Sequence, residues 1–276
     1  MKTSSVIVCG LQASGKTTFL AALCHKLENP DLNSPVLIEK LDDDMAYVNR
    51  IVEDWVNGKP LGRTARGKIN PISLHLMDAH KNSIGKTVFP DISGEEFEAI
   101  WQHRQLNRDF AEKIKLSDSM CFFIHPVNKW KNNPQLVEVK SSEFSFQIKN
   151  DPIAWSEDLT ETQVVLTQIF QDLFKLIDEN KKYKIAIVIS AWDIVKKIED
   201  LDPYNWFSNY LPLLKQYLDS RNNNVSFNIF GISAQGGELD DPDLIKKDPP
   251  ESRVMVVNNK IETCDVCLPL IWLLGL

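Results

Sequence analysis

Along the chain, short runs of apolar, β-branched and aromatic residues alternate with segments whose apolar positions recur at helical spacing. This is the pattern of an α/β protein with a largely parallel sheet. Strands are predicted over residues 5–9, 72–77, 87–89, 120–124, 185–189 and 227–232. Most of them are apolar at nearly every position, as strands covered on both faces must be. Ile72-Ser73-Leu74-His75-Leu76 alternates instead, which suits one antiparallel edge strand with a wetter face. Helices are predicted over 17–27, 44–57, 95–115, 161–178 and 204–219, giving a mostly parallel six-stranded sheet with helices on both faces.

No Pro- or Ser-rich linker and no internal repeat divides the chain, so a single domain is expected over residues 1–276. Two stretches, 126–160 and 236–265, exceed ordinary loop lengths and read as insertions, either surface elaboration or partner docking. The 43% hydrophobic content excludes disorder as the main description. A net charge of -7 supplies no general attraction to nucleic acid or an anionic membrane, so any bound anion has to be gripped locally. The apolar run over 266–276 is shorter than the roughly 18–20 residues of a membrane helix, so no membrane span is predicted. The apolar run near the start reads as a core strand rather than a signal peptide. Five scattered cysteines fit a reducing, cytoplasmic setting.

The sharpest chemistry lies in Gly10-Leu11-Gln12-Ala13-Ser14-Gly15-Lys16-Thr17, which fits G-x-x-x-x-G-K-[ST] and falls between a predicted strand and a predicted helix. Glycines at both ends let the backbone turn inward, so successive N–H groups converge on phosphate oxygens where the helix dipole is positive. In that arrangement Gly10, Gln12, Ala13, Ser14 and Gly15 form the cradle and Lys16 bridges the β- and γ-phosphates. Thr17 would ligate Mg²⁺, with Thr18 beside the α-phosphate.

Four further segments follow in an order that resembles the Ras-like, translation-factor-related class of P-loop GTPases. Arg63-Thr64 stands where that class places a switch threonine, so the resemblance implies that Thr64 reaches Mg²⁺ and the γ-phosphate. Asp91-Ile92-Ser93-Gly94 matches D-x-x-G, implying Mg²⁺ held through Asp91 and a γ-phosphate contact from the Gly94 N–H. Ser190-Ala191-Trp192-Asp193 resembles the base motif N/T-K-x-D: the Asp193 carboxylate can accept from guanine N1–H and its exocyclic amine together, a donor pair that adenine lacks. Ala191 departs from the class, standing where lysine covers the base, and Trp192 is the neighbour whose packing could compensate. Ser233-Ala234-Gln235 is similar to the S-A-K loop, with Gln235 in place of lysine and the Ala234 N–H facing the guanine carbonyl.

The P-loop, the Arg-Thr pair and the Asp-Ile-Ser-Gly-Glu segment are also similar to bacterial double-GTPase proteins of conflict or defence gene clusters. That resemblance implies GTP/GDP and Mg²⁺ as cofactors, with a protein effector or a second GTPase as partner. For hydrolysis, Glu95 stands where many Ras-like enzymes carry glutamine after D-x-x-G, and is read either as catalytic or as a helix-opening charge. Gln12 either crowds the attacking water or helps to hold it. Arg63, Arg66 and Arg104 are candidate internal fingers or plain surface residues, and slow intrinsic turnover is expected. An ATP-dependent P-loop enzyme and a nucleotide-stabilised scaffold without turnover stay open as alternatives. Cys264-x-x-Cys267, the five histidines, and Trp55, Trp101 and Trp206 form no ligand motif and read as packing or surface residues.

Overall fold

The computed structural model describes residues 4–11, 13–30, 34–42, 45–61, 71–90, 94–126, 160–198, 200–239, 241–245 and 249–276. Its strands are β1 (Ser4–Gly10), β2 (Leu37–Asp42), β3 (Ile72–Met77), β4 (Ser83–Phe89), β5 (Ser119–Ile124), β6 (Tyr183–Ser190), β7 (Val225–Ser233), β8 (Met255–Asn258) and β9 (Ile261–Thr263). They join in one sheet of order β2-β3-β4-β1-β5-β6-β7-β8-β9. Strands β4, β1, β5, β6 and β7 run parallel, and an antiparallel pair flanks them on each side.

The six predicted strands are all present, but among the described residues the sheet has nine. Strand β3 is antiparallel as expected, yet it is not an edge: β2 pairs along its outer side, from Leu37 opposite Met77 to Asp42 opposite Ser73. Residues 236–265 are not a plain insertion either, because they supply β8 and β9 and so carry the sheet past β7. Most of 126–160 lies outside the described residues.

The helices are α1 (Lys16–Glu28), α2 (Met45–Val56), α3 (Gly94–His103), α4 (Arg108–Leu116), α5 (Thr162–Phe174), α6 (Trp192–Ile198), α7 (Pro203–Tyr210), α8 (Pro212–Asp219), α9 (Pro242–Ile245) and α10 (Leu268–Leu274). Two predicted helices are each divided in two. The 95–115 segment breaks at Arg104, which adopts a positive φ of 55°, and Asn107 then caps α4 through its side chain. The 204–219 segment breaks before Pro212, whose missing N–H suits a helix start and not an interior. Helices α1, α2 and α10 bury their apolar sides on one face of the sheet, and α3, α4, α5, α7 and α8 on the other. Strand β5 is buried along its whole length between these layers, and each large side chain so enclosed contributes roughly 1.5–3 kcal/mol.

The amino ends of the parallel strands are tied together. Asp118 accepts from the Ser5 N–H at 2.9 Å and pairs with Lys181 at 2.8 Å, while the hydroxyls of Ser117 and Tyr183 bond at 2.6 Å. The carboxyl ends are left for chemistry, and β1 is central there. The chain steps from β4 on one side of β1 to β5 on the other, which opens a crevice above the strand ends.

Candidate functional site

Gly10 ends β1 with a φ of +146°, and a Cβ at this position would lie 2.3 Å from the Phe123 carbonyl oxygen of β5. No other residue type fits there, so the loop can leave the sheet at once and turn back over it. Ala13 also has positive φ, at 52°, and Gly15 enters α1 in the left-handed region at 82°. Buried Ser14 donates to the Leu11 carbonyl at 2.7 Å and pins the turn. The Lys16 ammonium folds back inside the loop. It donates to the carbonyls of Gly10 at 2.9 Å and Leu11 at 2.7 Å, and to Ser14 Oγ at 3.2 Å. Burial lowers the Lys16 pKa to about 8, against the opposing influence of the Cys9 thiol, which burial itself pushes up to about 12.

A phosphate fits this cradle. Helix α1 has no side-chain cap at its start and no acidic residue in its first turn, although the opening amides of any helix need an external acceptor. Thr17 and Thr18 follow in that same turn, partly exposed. An incoming anion would meet amides, a helix dipole and a desolvated ammonium together.

The second half of the site stands at the carboxyl ends of β6 and β7. Ser233 Oγ donates to Asp193 Oδ1 at 2.5 Å and accepts from the Gly236 N–H at 3.1 Å. The aspartate of the predicted base motif and the serine of the S-A-K-like loop therefore meet at one point, with Asp193 in the first turn of α6 and Ser233 closing β7. Ser190, the last residue of β6, links the two halves. It donates to the Ile124 carbonyl at 3.2 Å, and a Cβ on Gly15 would lie 3.2 Å from its own Cβ. Half-buried His125 lies within the field of Asp193; burial lowers its pKa while the carboxylate pulls the other way. In the sequence Ser190 opens the segment that resembles the base motif but carries no assigned contact, and His125 only precedes a proline.

Other candidates are placed as follows. Trp192 is turned inward: it is 1% exposed, packs against Gly231 and meets Trp206 edge-on at 6.5 Å. Ala191, with a positive φ of 47°, makes the turn that sends Trp192 inward. Arg104 is not placed as a finger. It lies over Trp101 at 4.7 Å and pairs with Asp172 at 3.7 Å, in the last turn of α5, which leads to the amino end of β6. That is the edge of the sheet opposite the P-loop. Cys267 is buried but Cys264 is exposed, so only one of the pair belongs to the core. Gln12, Arg63, Thr64, Arg66 and Asp91 lie outside the described residues, while Gly94 and Glu95 open α3 just beyond the end of β4.

Comparison with solved structures finds similarity to the signal recognition particle receptor SRb-GTP/SRX complex from Chaetomium thermophilum. Identity is 10% over 85% of this chain and 92% of that one, with a TM-score of 0.43. A mutation variant of SsGBP is similar at 15% identity over 84% of this chain and 51% of that chain, with a TM-score of 0.31. No curated protein matches the sequence. The family model described as Double-GTPase 1, by contrast, matches residues 7–273, which is nearly the whole chain. This P-loop protein belongs to the Double-GTPase 1 family.

Proposed function

We propose that the chain is a guanine-nucleotide switch that binds GTP and GDP with Mg²⁺, hydrolyses GTP slowly by itself and works with a protein effector or second GTPase. The observation that carries this reading is the pairing of two features on one edge of the sheet. A loop whose carbonyls hold the partly buried Lys16 ammonium stands at β1, and a carboxylate oriented by a serine stands at β6 and β7. Gly10 to Thr18 would hold the phosphates, while Asp193 and the Ser233–Gln235 loop would hold the ring. Thr17, Thr64 and Asp91 are the residues that would hold Mg²⁺, which when bound neutralises charge on the β- and γ-phosphates. The Gly94 N–H and Glu95, at the start of α3, are proposed to meet the γ-phosphate and its attacking water.

Slow turnover is supported by the position of Arg104, which is engaged at the far edge and leaves positive charge for the transition state to come from elsewhere. A partner is the natural source, in keeping with the family's double-GTPase description and with a role in a bacterial defence or conflict system in the cytoplasm. Among the described residues no helix is long and apolar enough to cross a membrane. Titration of the purified chain and of its Lys16→Ala variant with GDP tests the reading. The variant is expected to lose about ten- to a hundredfold in affinity, because a charge-assisted contact goes. Unchanged GDP affinity would remove the phosphate assignment.

A further inference from the structure

One contact reaches the base-recognition loop from a helix that the reading above does not use. Trp55, near the end of α2 and 0% exposed, donates its indole N–H to the carbonyl of Ala234 at 2.9 Å, across 179 residues of sequence. Ala234 is the residue whose own N–H would face the guanine carbonyl. Because its carbonyl and the Gln235 N–H belong to one rigid peptide unit, fixing that oxygen fixes the course of the loop on both sides of it.

Trp55 is itself held from behind. The Arg253 guanidinium lies 4.5 Å from its ring centre and donates to the main-chain carbonyls of Trp55 and, at 3.3 Å, of Val56. These are the last two carbonyls of α2, where a cation is favoured; that of Trp55 also accepts from the Gly58 N–H at 3.1 Å. Arg253 is 3% exposed and belongs to a 3-10 turn over Pro250–Arg253. His25 of α1 also packs against the indole, at 5.3 Å, and meets Glu251 of that turn at 3.2 Å. The base loop also touches this turn directly, since a Cβ on Gly236 would lie 2.0 Å from the Arg253 carbonyl oxygen. The Ser233–Gly236 loop is thus gripped between an indole N–H and the backbone of the residue that steadies the indole.

We propose that Trp55, held by Arg253, is a positioning residue for purine selection: it sets the Ala234 backbone so that the loop presents a donor to the guanine carbonyl. The inference rests on the proposed base site, and a loop so held discriminates by its geometry. An amide N–H aimed at one point donates to the carbonyl oxygen of guanine and confronts the amine of adenine, donor against donor, whereas a loosened loop can turn away from either. Trp55 therefore raises affinity for guanine nucleotides and does not raise it for adenine nucleotides.

Calorimetric titration of the full chain with GDP and with ADP tests this in the wild type, Trp55→Phe and Arg253→Lys. The phenylalanine keeps an aromatic face for Arg253 and removes the donor together with part of the buried ring. Trp55→Phe is expected to weaken GDP binding about tenfold, the scale of one lost hydrogen bond, with ADP binding unchanged or tighter. Arg253→Lys, which keeps the charge and loses the forked donor, is expected to reduce the GDP/ADP preference by a smaller factor. A wild type that prefers GDP beside a Trp55→Phe variant with the same preference overturns the inference and leaves the base site standing. Equal weakening of GDP and ADP also overturns it, since that marks a general loss of structure. If Trp55→Phe fails to fold, Arg253→Lys decides, and an unchanged ratio there overturns the proposal. A wild type without preference between GDP and ADP overturns the inference together with the reading of the site beneath it.

Discussion

Replacement of Asp193 by asparagine gives the most specific prediction, because the surroundings of its carboxylate dictate which atom changes. Ser233 Oγ accepts from the Gly236 N–H and so directs its own proton at Asp193 Oδ1. In Asp193→Asn the amide oxygen keeps that bond, and the amide nitrogen takes the Oδ2 position. A donor then stands where the account puts an acceptor opposite the 2-amine of guanine, so donor meets donor. Xanthine carries a carbonyl at the same ring position and accepts the new bond. A hydrogen bond to a charged group contributes roughly 1.5–3 kcal/mol. Its loss with GDP alone lowers affinity about ten- to a hundredfold, and the bond regained with XDP widens the change in preference further. Equilibrium competition of GDP and XDP against a fluorescent GDP analogue measures this directly. A GDP/XDP preference within about threefold of the wild type in the variant would refute the geometry and remove Asp193 from the base pocket. Adding Ser233→Ala frees the amide to rotate, so the doubly substituted chain is expected to lose part of the xanthine preference.

Two further outcomes follow from the phosphate loop. Because the Lys16 pKa is lowered to about 8 from 10.5, GDP binding should be flat below about pH 7 and weaken as pH rises through 8, by up to about tenfold per unit, as the ammonium loses its proton. The same group acts in the opposite sense on folding without ligand: its desolvation penalty is present below pH 8 and relieved above it. A binding profile flat from pH 7 to about 9 would show that this lysine does not meet the phosphates. Separately, Gly10→Ala forces a Cβ to within 2.3 Å of the Phe123 carbonyl at a φ of +146°, so a loss of about 2 kcal/mol or more is expected, visible as a melting point lower by about 5 °C or more. An unchanged melt would contradict the close approach of β1 to β5.

The parts of the site written locally were legible in the sequence. The P-loop is eight consecutive residues with its meaning in its glycines and lysine, and the strand and helix on either side of it are strongly patterned. Strand β2 was missed because Glu39 and Lys40 stand exposed at its centre, leaving too little apolar signal. Strands β8 and β9 are only four and three residues long, and Ile261 of β9 is exposed, so their pairing with β7 is set by tertiary context. The helix break at Pro212 carried a readable signal, whereas that at Arg104 carries neither glycine nor proline and shows only in its backbone. Trp55 illustrates the limit of local reading. Its helical context correctly marked it as buried, but nothing near it indicates that its indole N–H ends on Ala234 or that Arg253 stacks on its ring.

A crystal structure grown with a non-hydrolysable GTP analogue and Mg²⁺ would show whether one edge of the sheet holds both ends of a guanine nucleotide. Phosphates are expected at the amides that open α1, beside the Lys16 ammonium, with a ring whose edge meets the Asp193 carboxylate and the Ala234 N–H. Electron density for the phosphates away from Gly15 and Lys16, or for a ring that never approaches Asp193, would contradict this placement.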